Sequence, residues 1–244
     1  CLMRIDLHAH TTASDGTCTP AELVAAGAEA GLDVLAITDH DTTAGWVPAA
    51  EARPAGLALV RGAELSCRWY GQVPAIPPTW PSGGAGQRRA SITESDGSLG
   101  TSLHMLAYLF DPTAPALVTE LARVRRGREE RAQRIVELLR ADGVDVTWDE
   151  VHGYAAGGTV GRPHIARALI RAGLVADTDE AFEDRWLGER YRVPKDDTDV
   201  FEAVRLVRAA GGVPVFAHPK ATKRGKVVPD SLIVELAEAG LFGL

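Results

Sequence analysis

The sequence lacks any apolar run that approaches the roughly 20 residues of a membrane-spanning helix. Its mean hydropathy is −0.04, and no basic and apolar signal segment opens the chain. These absences argue against a membrane protein. We expect a cytoplasmic protein that does not interact with a membrane.

Cysteine is also scarce. The three cysteines, Cys1, Cys18 and Cys67, lie far apart and form no C-x-x-C motif. An odd number at such spacings argues against a disulfide framework and fits a reducing compartment. Cys67 follows an apolar strand pattern, which favours small core filling over a role as nucleophile.

Positive charge is in the minority. Lysine and arginine number 26 against 33 aspartates and glutamates, which gives a formal net charge of −7. Affinity for the phosphates of duplex DNA or RNA comes largely from basic side chains, so non-specific duplex binding is not expected. Phosphate chemistry in this chain would need a local arginine cluster or bound metal.

The sequence does contain a clear βα rhythm. Its 244 residues, 45% of them hydrophobic, suffice for one large domain or for one domain with an insertion. Strand patterns cover residues 3–10, 33–38 and 57–66, and helical patterns cover 19–32 and, less regularly, 40–56. Short strands that alternate with helices predict parallel βα units, whose functional residues collect at the carboxyl ends of the strands.

The middle of the chain departs from this rhythm. Residues 68–101 are dense in Gly, Pro and Ser and predict a long mobile loop between antiparallel strands. A strand is predicted at 101–110, helices from 111 to about 193, and a buried strand at 213–218. We therefore expect a barrel domain formed by 1–110 and 197–244, and a helical insertion or cap formed by 111–196.

Two histidines near the start raise the question of function. In "RIDLHAH", His8 and His10 alternate with apolar residues, so that in a strand they share one face, about 6–7 Å apart. Two imidazoles on one face can bind one ion. Alternatively, they merely occupy a strand end.

Asp15 lies in the turn after the same strand, and further polar residues lie at or near the ends of the other predicted strands. They are Asp39, His40, Asp41, Glu64, His104 and His218. Imidazole with carboxylate suits Zn²⁺, Mn²⁺ or Fe²⁺, and mixed N/O ligands without thiolate favour a catalytic metal site.

Most of these residues have a structural alternative. Glu64 could pair with an arginine, Asp15 is an ordinary turn residue, and His104 could be a core histidine. Asp41 could cap the following helix, and Asp39 could orient an imidazole. Together these residues support a metal site more strongly than any one of them does alone.

The segment "DLHAHTTASDGTCTPAELVAAGAEAGLDVLAITDHDT", with the later "GAELS" and "FAHP", resembles the PHP (polymerase and histidinol phosphatase) family of metal-dependent phosphoesterases. The resemblance implies an α/β fold, a distorted (β/α)7 barrel, with two or three divalent metal ions (Mn, Zn or Fe). It implies these metal ligands: His8, His10, Asp15, His40, Glu64, His104 and His218. Four of them, His8, His10, Glu64 and His218, are the expected catalytic residues.

The helical insertion, with "GRPHIARALI", resembles the branch that contains nucleoside 3′,5′-bisphosphate phosphatases and a 5′–3′ exoribonuclease. The resemblance implies that Arg162 and His164 bind the substrate phosphate. Arg131 is a further candidate from the series Arg128, Arg131 and Arg134, whose alternative is a solvated face paired with Glu129 and Glu130. Lys220 could reach a phosphate or simply lie on the surface.

The family also places an Asp-x-His motif on a strand after a Gly-Leu-Glu-Val-like stretch. Here the chain ends at "AGLFGL", where that strand would begin, so we expect the last part of the barrel to lie in further chain.

The expected reaction is hydrolysis of a phosphate ester at a nucleotide or at a short RNA or DNA end by a metal-bridging hydroxide. Two alternatives remain open. One is a histidinol-phosphatase-like monoesterase of small molecules, and the other is a non-catalytic, metal-stabilised binding module.

Overall fold

The computed structural model describes residues 2–71, 100–220 and 227–244. Within these ranges, six strands form one curled, open sheet in the order β1-β2-β3-β4-β6, with β5 beside β3. The strands are β1 (Ile5–Asp6), β2 (Val34–Ile37), β3 (Ala58–Trp69), β4 (Thr101–Tyr108), β5 (Thr198–Asp199) and β6 (Val213–Phe216). The expected distorted α/β barrel is thus present as a half-barrel.

Helices cover the sheet and form a second layer beside it. They are α1 (Pro20–Glu29), α2 (Trp46–Ala52), α3 (Pro115–Ala141), α4 (Trp148–Ala155), α5 (Arg162–Arg171), α6 (Thr178–Ala181), α7 (Val200–Ala209) and α8 (Asp230–Glu238), with a π-helical turn at Asp184–Gly188.

Local signals set where several helices begin. Thr19 and Glu22 form a reciprocal capping box at α1, and Pro20 occupies the first turn. Asp199 caps α7 by accepting hydrogen bonds from two backbone N–H groups. The start of α3 instead depends on Pro115, because no side chain caps it.

The strand directions bring the candidate site to one end of the sheet. β1, β2 and the first part of β3 are parallel, whereas β4 is antiparallel to β3 and to β6. The parallel pairing of β3 with β2 ends at Arg61, three residues before Glu64. From Gly62 onward β3 pairs with β4, a parallel bridge joins Glu64 to His40 just after β2, and β5 pairs with β3 at Cys67 and Arg68.

Several predicted boundaries need correction. The first strand covers only Ile5–Asp6, because β1 is an exposed edge strand with a partner on one side. The irregular helix predicted at 40–56 is confined to Trp46–Ala52. Strand β3 runs on to Trp69, into the predicted loop, because β4 pairs with its full second half. The rest of that loop, 72–99, lies outside the described residues.

Buried side chains form two main cores. One joins α1, α2, α7 and α8 to one face of the sheet, with Leu35, Leu65, Met105 and Val204 among its members. The other is formed by α3 to α6 and includes Ile135, Leu139 and Ile165. Leu117, at the start of α3, belongs to the first core, so this single helix contributes to both.

Candidate metal centre

Glu64 is the centre of the site. Its side chain is completely buried on β3, and five imidazoles surround its carboxylate. Glu64 Oε2 lies 2.9 Å from His8 Nε2, 2.9 Å from His10 Nε2 and 3.6 Å from His40 Nδ1. Glu64 Oε1 lies 2.8 Å from His104 Nδ1 and 3.1 Å from His218 Nε2. The alternative of an arginine partner for Glu64 does not apply.

The sheet explains this convergence. His8 and His10 follow β1, and His40 follows β2 and bridges to Glu64 through the backbone. His104 lies inside β4, opposite Ser66 and hence diagonal to Glu64 on the same face. His218 follows β6 with a positive φ of 36°. Five distant segments thus bring their side chains to one point.

Asp15 extends the cluster on one side. Its carboxylate oxygens lie 3.5 Å from His10 Nδ1 and 3.7 Å from His40 Nε2. The turn that carries it is held by Asp39, which accepts hydrogen bonds from Thr11 and Ser14. Asp39 therefore positions the turn between His10 and Asp15 and does not orient an imidazole directly.

Electrostatics at His40, His104 and Glu64 favour cation binding, whereas the Glu64 and Asp15 carboxylates raise the pKa of His10 against the effect of burial. Burial lowers the pKa of His104, and burial together with the positive charge of Arg128 holds the pKa of His40 well below its usual value. Burial opposes ionisation of Glu64, but the surrounding imidazoles lower the pKa of its carboxyl group. Neutral imidazole and ionised carboxylate are the forms that bind metal.

The geometry also fits shared cations. His40 Nδ1 and His104 Nδ1 are buried and have no hydrogen-bond partner, although His104 Nδ1 lies within contact distance of Glu64. Atoms at contact distance without hydrogen-bond alignment fit joint coordination of an ion. Three overlapping groups have donor atoms within 4.8 Å of one another: His8/His10/Glu64, His10/Asp15/His40 and His40/Glu64/His104.

Four members of the cluster, Asp15, His40, His104 and His218, line a cavity of about 970 Å³. Five cationic side chains line its walls: Arg128, Arg131, Arg162, Arg192 and Lys195. Arg131 donates to the Val193 carbonyl, and Arg162 donates to the Leu187 carbonyl and lies over the Phe182 ring. The chain, although negative overall, thus gathers cationic side chains and metal-ligand candidates around one cavity.

The remaining candidates do not line the cavity. His164 is buried, accepts a hydrogen bond from the Gly161 N–H and contacts the Ser14 backbone beside Asp15. Lys220 is exposed and pairs with Asp230, and Arg134 is exposed and pairs with Glu137. Cys67 is fully buried in the first core, and burial raises the pKa of its thiol.

Asp41 does not cap the following helix, which was the structural alternative for this residue, because that helix begins after Gly45. It has a left-handed φ of 55° and accepts two hydrogen bonds from Ser66, and its Oδ2 lies 2.7 Å from Arg128 Nε. Through these contacts Arg128 connects α3 to the segment after β2 and, by its hydrogen bond to Ser66, to β3. The arginine lies 87 positions after Asp41 in the chain, so no local pattern could have revealed this pairing.

Sequence reasoning also missed Lys195, Asp197 and Arg192. They lie in a stretch, "RVPKDD", that matches no motif. The one sequence signal for these residues was the position of this stretch. It leads into a predicted βα unit, and site residues collect at the strand ends of such units.

Comparison with known proteins identifies the fold family. The PHP domain family model matches residues 6–145, more than half of the chain. The chain is 33% identical to a 5′-3′ exoribonuclease of Haemophilus influenzae, over 99% of this chain and 78% of that protein. It is 30% identical to a 3′,5′-nucleoside bisphosphate phosphatase of Chromobacterium violaceum, over 100% of this chain and 76% of that protein.

A solved structure agrees. A Bifidobacterium adolescentis protein, provisionally described as a metal-dependent phosphoesterase, superposes with a TM-score of 0.81 at 33% identity, over 99% of this chain and 76% of that one. Within the described ranges, no helix is both long and apolar enough to cross a membrane. The chain belongs to the PHP domain family of hydrolytic, metal-dependent phosphoesterases.

Proposed function

We propose that this chain hydrolyses a phosphate ester at the end of a nucleotide or short oligonucleotide, with two or three divalent cations held by the Glu64 cluster. The observation that carries the proposal is that members of this ligand cluster and five cationic side chains line the same cavity. Its volume lies in the range of small-molecule sites and suffices for a nucleotide. The names of the two relatives support the same substrate class.

His8, His10, Asp15, His40, Glu64, His104 and His218 would hold the ions. When bound, divalent cations activate water and neutralise phosphoryl oxygens. Manganese, zinc and iron all suit the nitrogen and oxygen donors.

The chain's own cationic side chains would bind and orient the phosphate. Arg162 and Arg131 are held by backbone carbonyls, so their guanidinium groups are fixed before substrate arrives. Such preorganised donors stabilise charge on a transferring phosphoryl group. We propose that the reaction needs no covalent enzyme intermediate: the Cys67 thiol is fully buried in the core, and burial raises its pKa, which disfavours the nucleophilic thiolate.

The decisive experiment compares substrates on metal-loaded protein. Phosphate release is measured from adenosine 3′,5′-bisphosphate and from histidinol phosphate, and shortening is measured with a 5′-phosphorylated RNA oligonucleotide. We expect turnover of the bisphosphate, the oligonucleotide or both. Preference for histidinol phosphate would point to a small-molecule monoesterase, and no turnover of any substrate would point to a binding module.

A further inference from the structure

A second polar cluster lies beside the metal-ligand cluster. Lys195 Nζ is 3.0 Å from Ser102 Oγ and 3.7 Å from Asp197 Oδ2, and Ser102 in turn donates to Asp197 at 3.3 Å. Lys195 and Ser102 line the cavity. The Lys195 side chain is 22% exposed, so most of it is enclosed.

This cluster has a defined spacing from the metal ligands. Ser102 and His104 are two residues apart on β4 and share a face of the sheet. Alternate residues of a strand lie about 6–7 Å apart. The ammonium group that contacts Ser102 is therefore about one such step from the nearest metal ligand, a separation that suits two phosphates on one nucleoside better than a single phosphate.

The local charge balance favours an anion here. Arg128, Arg131 and Arg162 line the same cavity as Lys195. Burial and these three arginines lower the pKa of Lys195 to about 8, although Asp197 opposes them. Asp197 is also shared with the buried Arg68, 3.8 Å away, so it compensates Lys195 only in part.

The donor geometry leaves the ammonium able to bind a ligand. A lysine ammonium has three N–H donors. One points to Ser102 and a longer contact goes to Asp197, which leaves a donor for the cavity. Ser102 and Asp197 would act as positioning residues, because their contacts fix the lysine.

We propose that Lys195 is a further substrate-binding residue that holds a second phosphate, distinct from the one hydrolysed at the Glu64 cluster. The assignment rests on the proposed function, because it presumes that the first phosphate binds at that cluster. It makes the enzyme selective for substrates with two phosphates within one nucleotide step. The second phosphate belongs either to a nucleoside bisphosphate or to the next linkage of an oligonucleotide.

The test uses Lys195→Met, Lys195→Arg and a matched loss of charge, Arg205→Met, on the exposed face of α7, where Arg205 pairs with Glu202. Kinetics on the metal-loaded protein compare adenosine 3′,5′-bisphosphate, adenosine 5′-monophosphate and a 5′-phosphorylated dinucleotide. We expect Lys195→Met to lower kcat/KM about tenfold for a doubly phosphorylated substrate, mainly through KM, and to leave the monophosphate within about twofold. Lys195→Arg should restore most of the loss, and Arg205→Met should change nothing.

The doubly phosphorylated substrate whose kcat/KM falls in Lys195→Met identifies the source of the second phosphate. An equal loss for all three substrates, or no loss, would overturn the assignment. Thermal melting of each variant checks that the fold is intact.

Calorimetric binding of the bisphosphate and the monophosphate to chelator-treated protein separates this proposal from the proposed function. If the wild type hydrolyses nothing, the proposed function fails. Lys195 would still be supported if the bisphosphate binds about tenfold more tightly than the monophosphate and Lys195→Met removes that advantage. A wild type that binds both equally would overturn the assignment.

Discussion

Glu64 is a carboxylate with no exposed surface and with imidazole nitrogens on every side. Burying a carboxylate is costly unless a charge compensates it. No arginine or lysine among the described ion pairs compensates Glu64, and cations shared with the histidines would do so. Its charge, more than its size, is therefore what the site requires.

Glu64→Gln keeps the shape of the side chain and removes its charge. We expect phosphate release to fall by at least about 100-fold, a loss of the size seen when one electrostatic contact is removed from other active sites. Metal content, measured by elemental analysis of the purified protein, should fall with it. Full turnover in this variant would contradict the ligand assignment.

Cys67 lies three residues after Glu64 on the same strand, and Cys67→Ser should affect stability rather than catalysis. Burying a hydroxyl group without a new partner costs about 1–3 kcal/mol, so the free energy of unfolding should fall by that amount in urea denaturation. Phosphate release by the folded protein should stay within about twofold, because the thiol lies in the core. A large loss of kcat with unchanged stability would give the thiol a role in the chemistry.

The lowered pKa of Lys195 predicts that substrate binding depends on pH. Its pKa is lowered to about 8, so the ammonium is charged at pH 7 and loses its proton as the pH rises through 8. The substrate phosphates, with a second pKa near 6, are already fully ionised there. Calorimetry from pH 7.0 to 9.5 should show weaker bisphosphate binding to the wild type and little change for Lys195→Arg; parallel curves would exclude Lys195 as the titrating group.

At the scale of elements, Arg128 joins the longest helix to the sheet. Its guanidinium group contacts Asp41 and Ser66, and the attraction of Asp41 outweighs burial and raises the pKa of Arg128. Arg134, two turns further along α3, makes only an exposed pair with Glu137. The two arginines therefore form a natural comparison between a buried and a solvated ion pair.

Arg128→Met should lower the free energy of unfolding by about 3 kcal/mol, because it leaves the Asp41 carboxylate buried without its cation. Arg134→Met should change it by less than about 0.5 kcal/mol, as expected for a surface pair. Chemical denaturation of both variants measures the difference. Equal losses would mean that Arg128 contributes no more than a surface residue.

The elements show where sequence reasoning succeeds and where it stops. Periodicity and capping residues located α1, β2 and most of β3, because these depend on neighbours in the chain. The ligand cluster was also predictable, since strand ends of βα units converge. The contacts of Asp41 and Lys195 were not predictable, because their partners, Arg128 and Ser102, lie 87 and 93 positions away and belong to no recognisable motif.

At the scale of the whole molecule, the ligand cluster joins segments from residue 8 to residue 218. Ions bound there would cross-link both ends of the described chain. Ligands that bind only the folded state stabilise it by mass action. The stability of the whole fold should therefore depend on metal.

Chelation should lower the midpoint of thermal unfolding by about 5–10 °C, since a ligand at 100 times its Kd contributes about 2.7 kcal/mol to a protein of this size. Differential scanning calorimetry with and without chelator measures the shift. Glu64→Gln should show a much smaller shift. An unchanged midpoint in the wild type would argue that these side chains hold no tightly bound ion.

Helix α3 runs unbroken for 27 residues, with Leu117 in the first core and Ile135 and Leu139 in the second. Because one helix contributes side chains to both cores, we expect the unfolding of the two cores to be coupled. The helical layer can move away from the sheet as a hinged lid only if α3 bends or if Arg128 loses its contacts with Asp41 and Ser66.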